Sequence, residues 1–195
     1  MRVFGIDPGS IRTGYGCVET DGSRHRIVLC GAISAPAAAS FPEKLHAIHG
    51  RLAALLDECR PDSVAIESIF FAANARSALK LGHARGVAVL AAAQAGLAVV
   101  EYSPAEVKRA VVGHGRAEKS QVQYMVKLLL GLAVAPSPHD AADALAVAIC
   151  HAHAQTAVQA AATAAVNRAG AGVPGAVRGG RRAATSWRAY RPASS

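Results

Sequence analysis

The stretch Arg2-Val3-Phe4-Gly5-Ile6-Asp7-Pro8-Gly9 decides how the rest of the chain is read. Val3, Phe4 and Ile6 make a short apolar strand over Arg2–Asp7, and Pro8-Gly9 stops it. β-favouring residues resume over Tyr15–Glu19, after Ser10-Ile11-Arg12-Thr13-Gly14, and again over Arg26–Ile33, after the Asp21-Gly22 turn. Three strands joined by short glycine-bearing turns predict an antiparallel meander. The period then changes, because Leu45, Ile48, Leu52, Leu55 and Leu56 share one helical face in Pro42–Cys59. A fourth strand is expected over Ser63–Ser68, a long Ala- and Leu-rich helix over Asn74–Ala95, and a fifth strand over Leu97–Tyr102. Ser103-Pro104 opens a further helix with a cap and a first-turn proline. Gly113-His114-Gly115 separates it from a helix over Glu118–Leu130, and Pro138 begins a last helix running through Asp140–His151. This order predicts an α/β domain over residues 1–153, a five-stranded mixed sheet flanked by helices. Beyond it the chain passes into Ala, Gly and Arg. Ala160–Ala165 has the composition to extend the last helix, and 154–195 is expected to be a largely disordered tail, above all 170–195.

The charge is divided in the same way. The 195 residues carry 21 Lys+Arg against 13 Asp+Glu, a formal +8. Arg168, Arg178, Arg181, Arg182, Arg188 and Arg191 supply +6 of it from a tail without a single acid. The global figure points to a polyanionic partner, but the folded part is close to neutral. At 52% hydrophobic and 17% charged, the chain is not wholly disordered. Cys17, Cys30, Cys59 and Cys150 are scattered without a CxxC pair, which suggests four small buried thiols in a reducing cytoplasm rather than a zinc site or a disulfide framework. The amino terminus lacks the apolar run of a signal peptide. The longest apolar stretch, Val87–Val100, is broken by Gln94 and Gly96 and is shorter than the roughly 20 residues of a membrane span. A cytoplasmic protein without a membrane partner is expected.

Thirteen acids are few enough to place one by one. Asp7 closes the first strand and Glu67 closes the fourth, in Val64-Ala65-Ile66-Glu67. Asp140 and Asp143 lie three apart in the first turn of the last helix, and so on one face. An acid at the end of a buried strand is costly unless paired or metal-bound, and ligands of α/β sheets gather at the strand carboxyl ends. Four converging carboxylates repel one another and call for divalent cations, with Mg²⁺ suited to oxygen ligands. Two metals about 4 Å apart activate a water and stabilise the leaving oxygen of a phosphodiester. Taken singly, Asp7 before Pro8-Gly9 also reads as a turn residue, and Asp140 as an acid favoured by a helix dipole.

Five blocks of sequence resemble the RuvC family of Holliday-junction resolvases. They are Gly5-Ile6-Asp7-Pro8-Gly9 with Thr13-Gly14-Tyr15-Gly16; Ile66-Glu67; the run Asn74–Val87; Val107–Gly113 continuing to Ala117–Val122; and His139-Asp140-Ala141-Ala142-Asp143-Ala144-Leu145-Ala146. The resemblance covers about residues 1–153. It implies a ribonuclease-H-like fold and a homodimeric endonuclease dependent on Mg²⁺, two per subunit, with Mn²⁺ as a substitute. It places the acidic set at Asp7, Glu67, Asp140 and Asp143, the four that strand ends and helix spacing single out. It also implies symmetric paired nicks in four-way DNA junctions, in recombination and repair, and coupling to the RuvA–RuvB branch-migration machinery. His139 is outside that set and reads first as a helix-start residue, with contact to phosphate or tuning of the site as the alternative.

An acidic cleft repels DNA, so positive groups must flank it. Lys108, Arg109, Arg116 and Lys119, with His114, surround the Gly113-His114-Gly115 turn. The resemblance marks Lys108 and Lys119 as DNA contacts; Arg109, Arg116 and His114 extend the patch by charge and place, against the alternative of an ordinary solvated loop. Phe70 and Phe71 follow Glu67 directly. An exposed aromatic there would stack on unpaired bases, with Phe70 the stacking residue by resemblance and Phe71 the core residue, although two buried rings are the simpler alternative. His151 and His153, two apart on a helix, point differently and make a poor metal pair.

Overall fold

The computed structural model describes residues 1–68 and 74–170, with side chains to 167. Phe70 and Phe71, and the tail from 171, lie outside the described residues. The chain divides into Met1–Ala160 and Ala161–Ser195. The described part of the second unit is helix.

Five strands form one sheet in the order β3-β2-β1-β4-β5. They are β1 (Arg2–Asp7), β2 (Arg12–Thr20), β3 (His25–Ser34), β4 (Ser63–Glu67) and β5 (Val99–Tyr102). The first three form the expected antiparallel meander, and β4 and β5 add parallel to β1, so the sheet is mixed. β2 begins at Arg12, three residues before the expected Tyr15, because Gly14 is recruited by pairing with Asp7. The helices are α1 (Phe41–Cys59), α2 (Ala75–Gln94), α3 (Pro104–Val112), α4 (Lys119–Leu129) and α5 (His139–Gly170). α5 thus continues through Ala160–Ala165, past the boundary expected at 153.

Side chains alternate across a strand, and this alternation builds two cores. Phe4 and Ile6 of β1, with Val64 and Ile66 of β4, pack under α1 and α2 beside Leu52, Leu55 and Ala88. Val3 and Ala65 face the other way, into a core with Val107, Val122, Val126, Leu145 and Ile149 from α3, α4 and α5. Val3 and Asp7 share a parity in β1, as do Ala65 and Glu67 in β4, so both acids are directed toward the α5 side. The register Ile6↔Ile66 puts Asp7 beside Glu67 one step further on. α5 is buried along Ala141–Ala152 almost without interruption, so its start is fixed against the sheet. Cys17, Cys59 and Cys150 are buried and Cys30 only half-buried, which departs from the expectation of four buried thiols; all are free. Among the described residues no helix is long and apolar enough to cross a membrane.

Candidate active site

Asp7, Glu67 and Asp143 line a cleft of about 260 Å³ together with Lys108, Lys119 and the apolar floor Val107, Val122 and Ala146. Each wall has a local cause. Asp7 and Glu67 sit where β1 and β4 leave the sheet, and Asp143 projects from the first turns of α5 between fully buried Ala142 and Ala144. Lys108 comes from α3, which Ser103 caps through a reciprocal box with Glu106. Gly113 ends α3 at φ 95°, a left-handed conformation that glycine adopts without strain, and the chain then enters α4 at Lys119.

The electrostatics are those of crowded acids. Burial, then the neighbouring Glu67 and Asp143, pushes the Asp7 carboxyl up to about 8. Burial also raises Glu67, while its interaction with Asp7 works in the opposite direction. Lys119 Nζ donates to Asp143 Oδ2 at 2.5 Å, and this bond raises the lysine's own pKa. The fourth acid is placed differently. Asp140 does not line the cleft; it lines an adjacent hollow with Arg12, Gln123 and His139. Arg12 Nη1 donates to Asp140 Oδ2 at 3.4 Å, and Gln123 Nε2 donates to His139 Nδ1 at 2.8 Å. The expected shared face of Asp140 and Asp143 therefore opens onto two neighbouring hollows. Sequence reasoning missed Arg12 and Gln123; the one available signal was an arginine five residues beyond Asp7.

An all-oxygen donor set held in mutual repulsion fits a hard divalent cation. Among the described residues no three potential ligands form a group around one position; Lys119 pairs with Asp143 and Arg12 with Asp140. Arg109, His114 and Arg116 are exposed around the α3–α4 turn, outside the cleft lining. His151 and His153 do point apart. His151 pairs with Ser63 and Tyr102, whereas His153 pairs with His25 and the Ala110 carbonyl.

A mixed five-stranded sheet of this order, with acids at two strand ends and at the start of a helix laid across them, defines the ribonuclease-H-like class of nuclease folds. The sequence profile of crossover junction endodeoxyribonuclease RuvC matches residues 3–151, and the chain belongs to the RuvC family. The enzyme of that name from Pelotomaculum thermopropionicum is 54% identical over 143 residues, 73% of this chain and 87% of the relative. That from Chloroflexus aggregans is 51% identical over the same shares. Thermus thermophilus RuvC in complex with Holliday junction substrate superposes with a TM-score of 0.77 at 39% identity, over 80% of this chain and 95% of that one. The yeast mitochondrial Holliday junction resolvase shares the fold at 16% identity and a TM-score of 0.58, covering 79% of each chain.

Proposed function

We propose that this chain is a structure-specific endonuclease that resolves four-way DNA junctions by paired symmetric nicks, in recombination and repair in the cytoplasm. The observation that carries the reading is the convergence of Asp7, Glu67 and Asp143 from three elements in one cleft beside Lys108 and Lys119, in a chain of the RuvC family. Asp7, Glu67, Asp143 and, at the rim, Asp140 would hold Mg²⁺, two ions per subunit with Mn²⁺ as a substitute. Bound there, the metal supplies an activated water and charge stabilisation at the leaving oxygen. The protein's own residues do the rest. Lys108 and Lys119 offset the phosphate charge that the acids repel, and Arg109, His114 and Arg116 extend that surface along the backbone. Phe70 is assigned to stack on an unpaired base at the branch point.

A junction with two-fold symmetry needs two cuts, which a homodimer supplies with one site per subunit. α2 offers a face for it: Leu79 and Leu90 are 65% and 50% exposed along a groove with Gly82, His83 and Gly86. The two glycines leave open space where a second helix can approach closely. Leu79→Glu should give a monomer by light scattering. The same complex is expected to work with the RuvA–RuvB branch-migration machinery.

The deciding experiment cleaves a synthetic mobile four-way junction in Mg²⁺ beside a linear duplex of the same sequence. Equal cutting of both would refute the structure-specific reading. Binding without nicks would make the chain a junction-binding module. ATP hydrolysis with an intact junction would place it among related-fold phosphotransferases. Asp7→Asn should abolish nicking and keep binding.

A further inference from the structure

Asp140 is held by a base from outside the cleft. Arg12 opens β2, just beyond the Asp7-Pro8-Gly9 turn, and the turn is closed beneath it by Thr13, whose Oγ1 donates to the Gly9 carbonyl at 3.0 Å. From there the guanidinium reaches across to Asp140 through one contact of 3.4 Å, with 51% of its side chain exposed. A single long contact made by a half-exposed arginine is weak and readily exchanged, unlike a buried bidentate pair.

The arrangement repeats on the other side of the helix start. Asp143 is paired with Lys119 from α4, facing the cleft, as Asp140 is paired with Arg12 from β2, facing the hollow. Each acid of the α5 pair thus has one base, and each base comes from a different element. A divalent cation on Asp140 would bring like charge against the guanidinium and weaken its hold on that carboxylate. Arg12 remains anchored at the edge of a hollow of about 320 Å³ in which Asp140 is the sole acid among the lining residues. Gln123 and His139, hydrogen-bonded to each other in its lining, add polar groups. The counter-charge a nucleic acid offers there is phosphate, which a guanidinium fork matches better than an ammonium does.

We propose that Arg12 is a DNA phosphate-contacting residue whose engagement is gated by metal: it pairs with Asp140 until a divalent ion takes that carboxylate, then turns onto a backbone phosphate over the hollow lined by Gln123 and His139. The inference rests on Asp140 as a metal ligand.

The test uses the full chain with Arg12→Gln and Arg12→Lys, both at an exposed position that leaves folding intact by thermal melting. Without DNA, Mn²⁺ titration followed by electron paramagnetic resonance should show Arg12→Gln binding about two- to fivefold tighter than wild type, since one competing cation is gone. Junction affinity, measured by fluorescence anisotropy in Ca²⁺, should fall about fivefold in the same variant, and the slope of log affinity against log salt should shallow by about 1. In EDTA the variant and wild type should bind alike. Arg12→Lys should restore part of the Ca²⁺-dependent affinity. Unchanged or weaker Mn²⁺ binding, or an equal loss of junction affinity in EDTA and in Ca²⁺, overturns the proposal while wild-type nicking leaves the nuclease reading intact. Failure of the wild type to bind Mn²⁺ or to nick overturns both.

Discussion

A methyl group on Gly14 would lie 2.0 Å from the backbone carbonyl oxygen of Asp140. The same Gly14 pairs with Asp7 across β1 and β2. One residue without a side chain therefore sits beside one acid and beneath another, and the closeness of α5 to the sheet at this point sets how near Asp140 and Asp143 come to Asp7 and Glu67. Gly5 has the same relation to the Ala144 carbonyl, also at 2.0 Å, one turn further along the helix.

Gly14→Ala should consequently displace the start of α5. A backbone atom is not a flexible neighbour, so the strain is expected to cost about 1–3 kcal/mol. The melting temperature should drop by roughly 3–10 °C. Junction cleavage should fall about 100-fold, because a displacement near 1 Å at the reacting groups is enough to do so. Gly50→Ala is the matched control. It lies inside α1 with open space around it, and should gain about 0.5–1 kcal/mol without changing cleavage. Parallel melting curves and junction assays check both.

Asp7 supplies a pH prediction. Its folded-state carboxyl is raised to about 8 from the ordinary carboxylate range, so between those limits the native protein binds more protons than the unfolded one. This contribution to stability is complete below the unfolded pKa and is lost as pH rises towards 8. In EDTA, Asp7→Asn removes that loss. Its melting temperature should gain on that of wild type steadily from pH 5 to pH 8, whereas a constant difference would refute the raised Asp7 carboxyl. Proton release on metal binding follows from the same shift, and calorimetry in buffers of different ionisation enthalpy measures it.

How much of this was legible beforehand depends on what each residue answers to. Asp7 and Glu67 could be read because strand alternation alone fixes their side: Phe4 and Ile6 go one way, Val3 and Asp7 the other. Asp143 stood out because its neighbours on α5 are alanines that only close packing explains. Asp140 is its neighbour on the helix, as the spacing implies, yet the two open onto different hollows. Three residues on a helix turn through about 300°, so the two side chains diverge by about 60°, and one is aimed at α4 while the other meets Arg12. The length of β2 was missed for a related reason. Gly14 has poor strand propensity, and it belongs to the strand because α5 lies on it, a demand from residues more than a hundred positions away.

The basic groups should separate by their effect on salt dependence. Lys108→Ala and Lys119→Ala, both in the cleft lining, are expected to weaken junction binding and to reduce the salt slope by about 1 each. Arg109→Ala and Arg116→Ala should reduce the slope with a smaller effect on cleavage, because their side chains stand outside the cleft. Deleting 170–195 removes five of the tail's six arginines and should flatten the slope further while leaving the preference for junctions over duplex. Titrations between 50 and 200 mM salt, the range over which such contacts are lost, check all three.

The network behind the site predicts an acid sensitivity of its own. His151, 1% exposed on α5, bonds Ser63 Oγ through Nε2 at 3.0 Å and the Tyr102 hydroxyl through Nδ1 at 2.8 Å, tying α5 to β4 and β5 below the cleft. Both partners are hydroxyls, which satisfy a neutral imidazole in either tautomer but offer a cation no carboxylate, and burial lowers the His151 pKa. A histidine held below its unfolded value binds fewer protons in the native state, so its contribution to stability is present above about pH 6.5 and is lost as pH falls through the folded value. Tyr102→Phe leaves Nδ1 buried without a partner and should destabilise by about 1–3 kcal/mol. Replacing all three groups, with Ser63→Ala, Tyr102→Phe and His151→Leu, leaves no polar atom unpaired and should be less damaging than the single changes summed. It should also abolish the part of the acid destabilisation between pH 7 and pH 5 that belongs to His151, read from chemical denaturation at each pH. A triple variant that loses stability in acid as steeply as wild type would show that this histidine is not the group responsible.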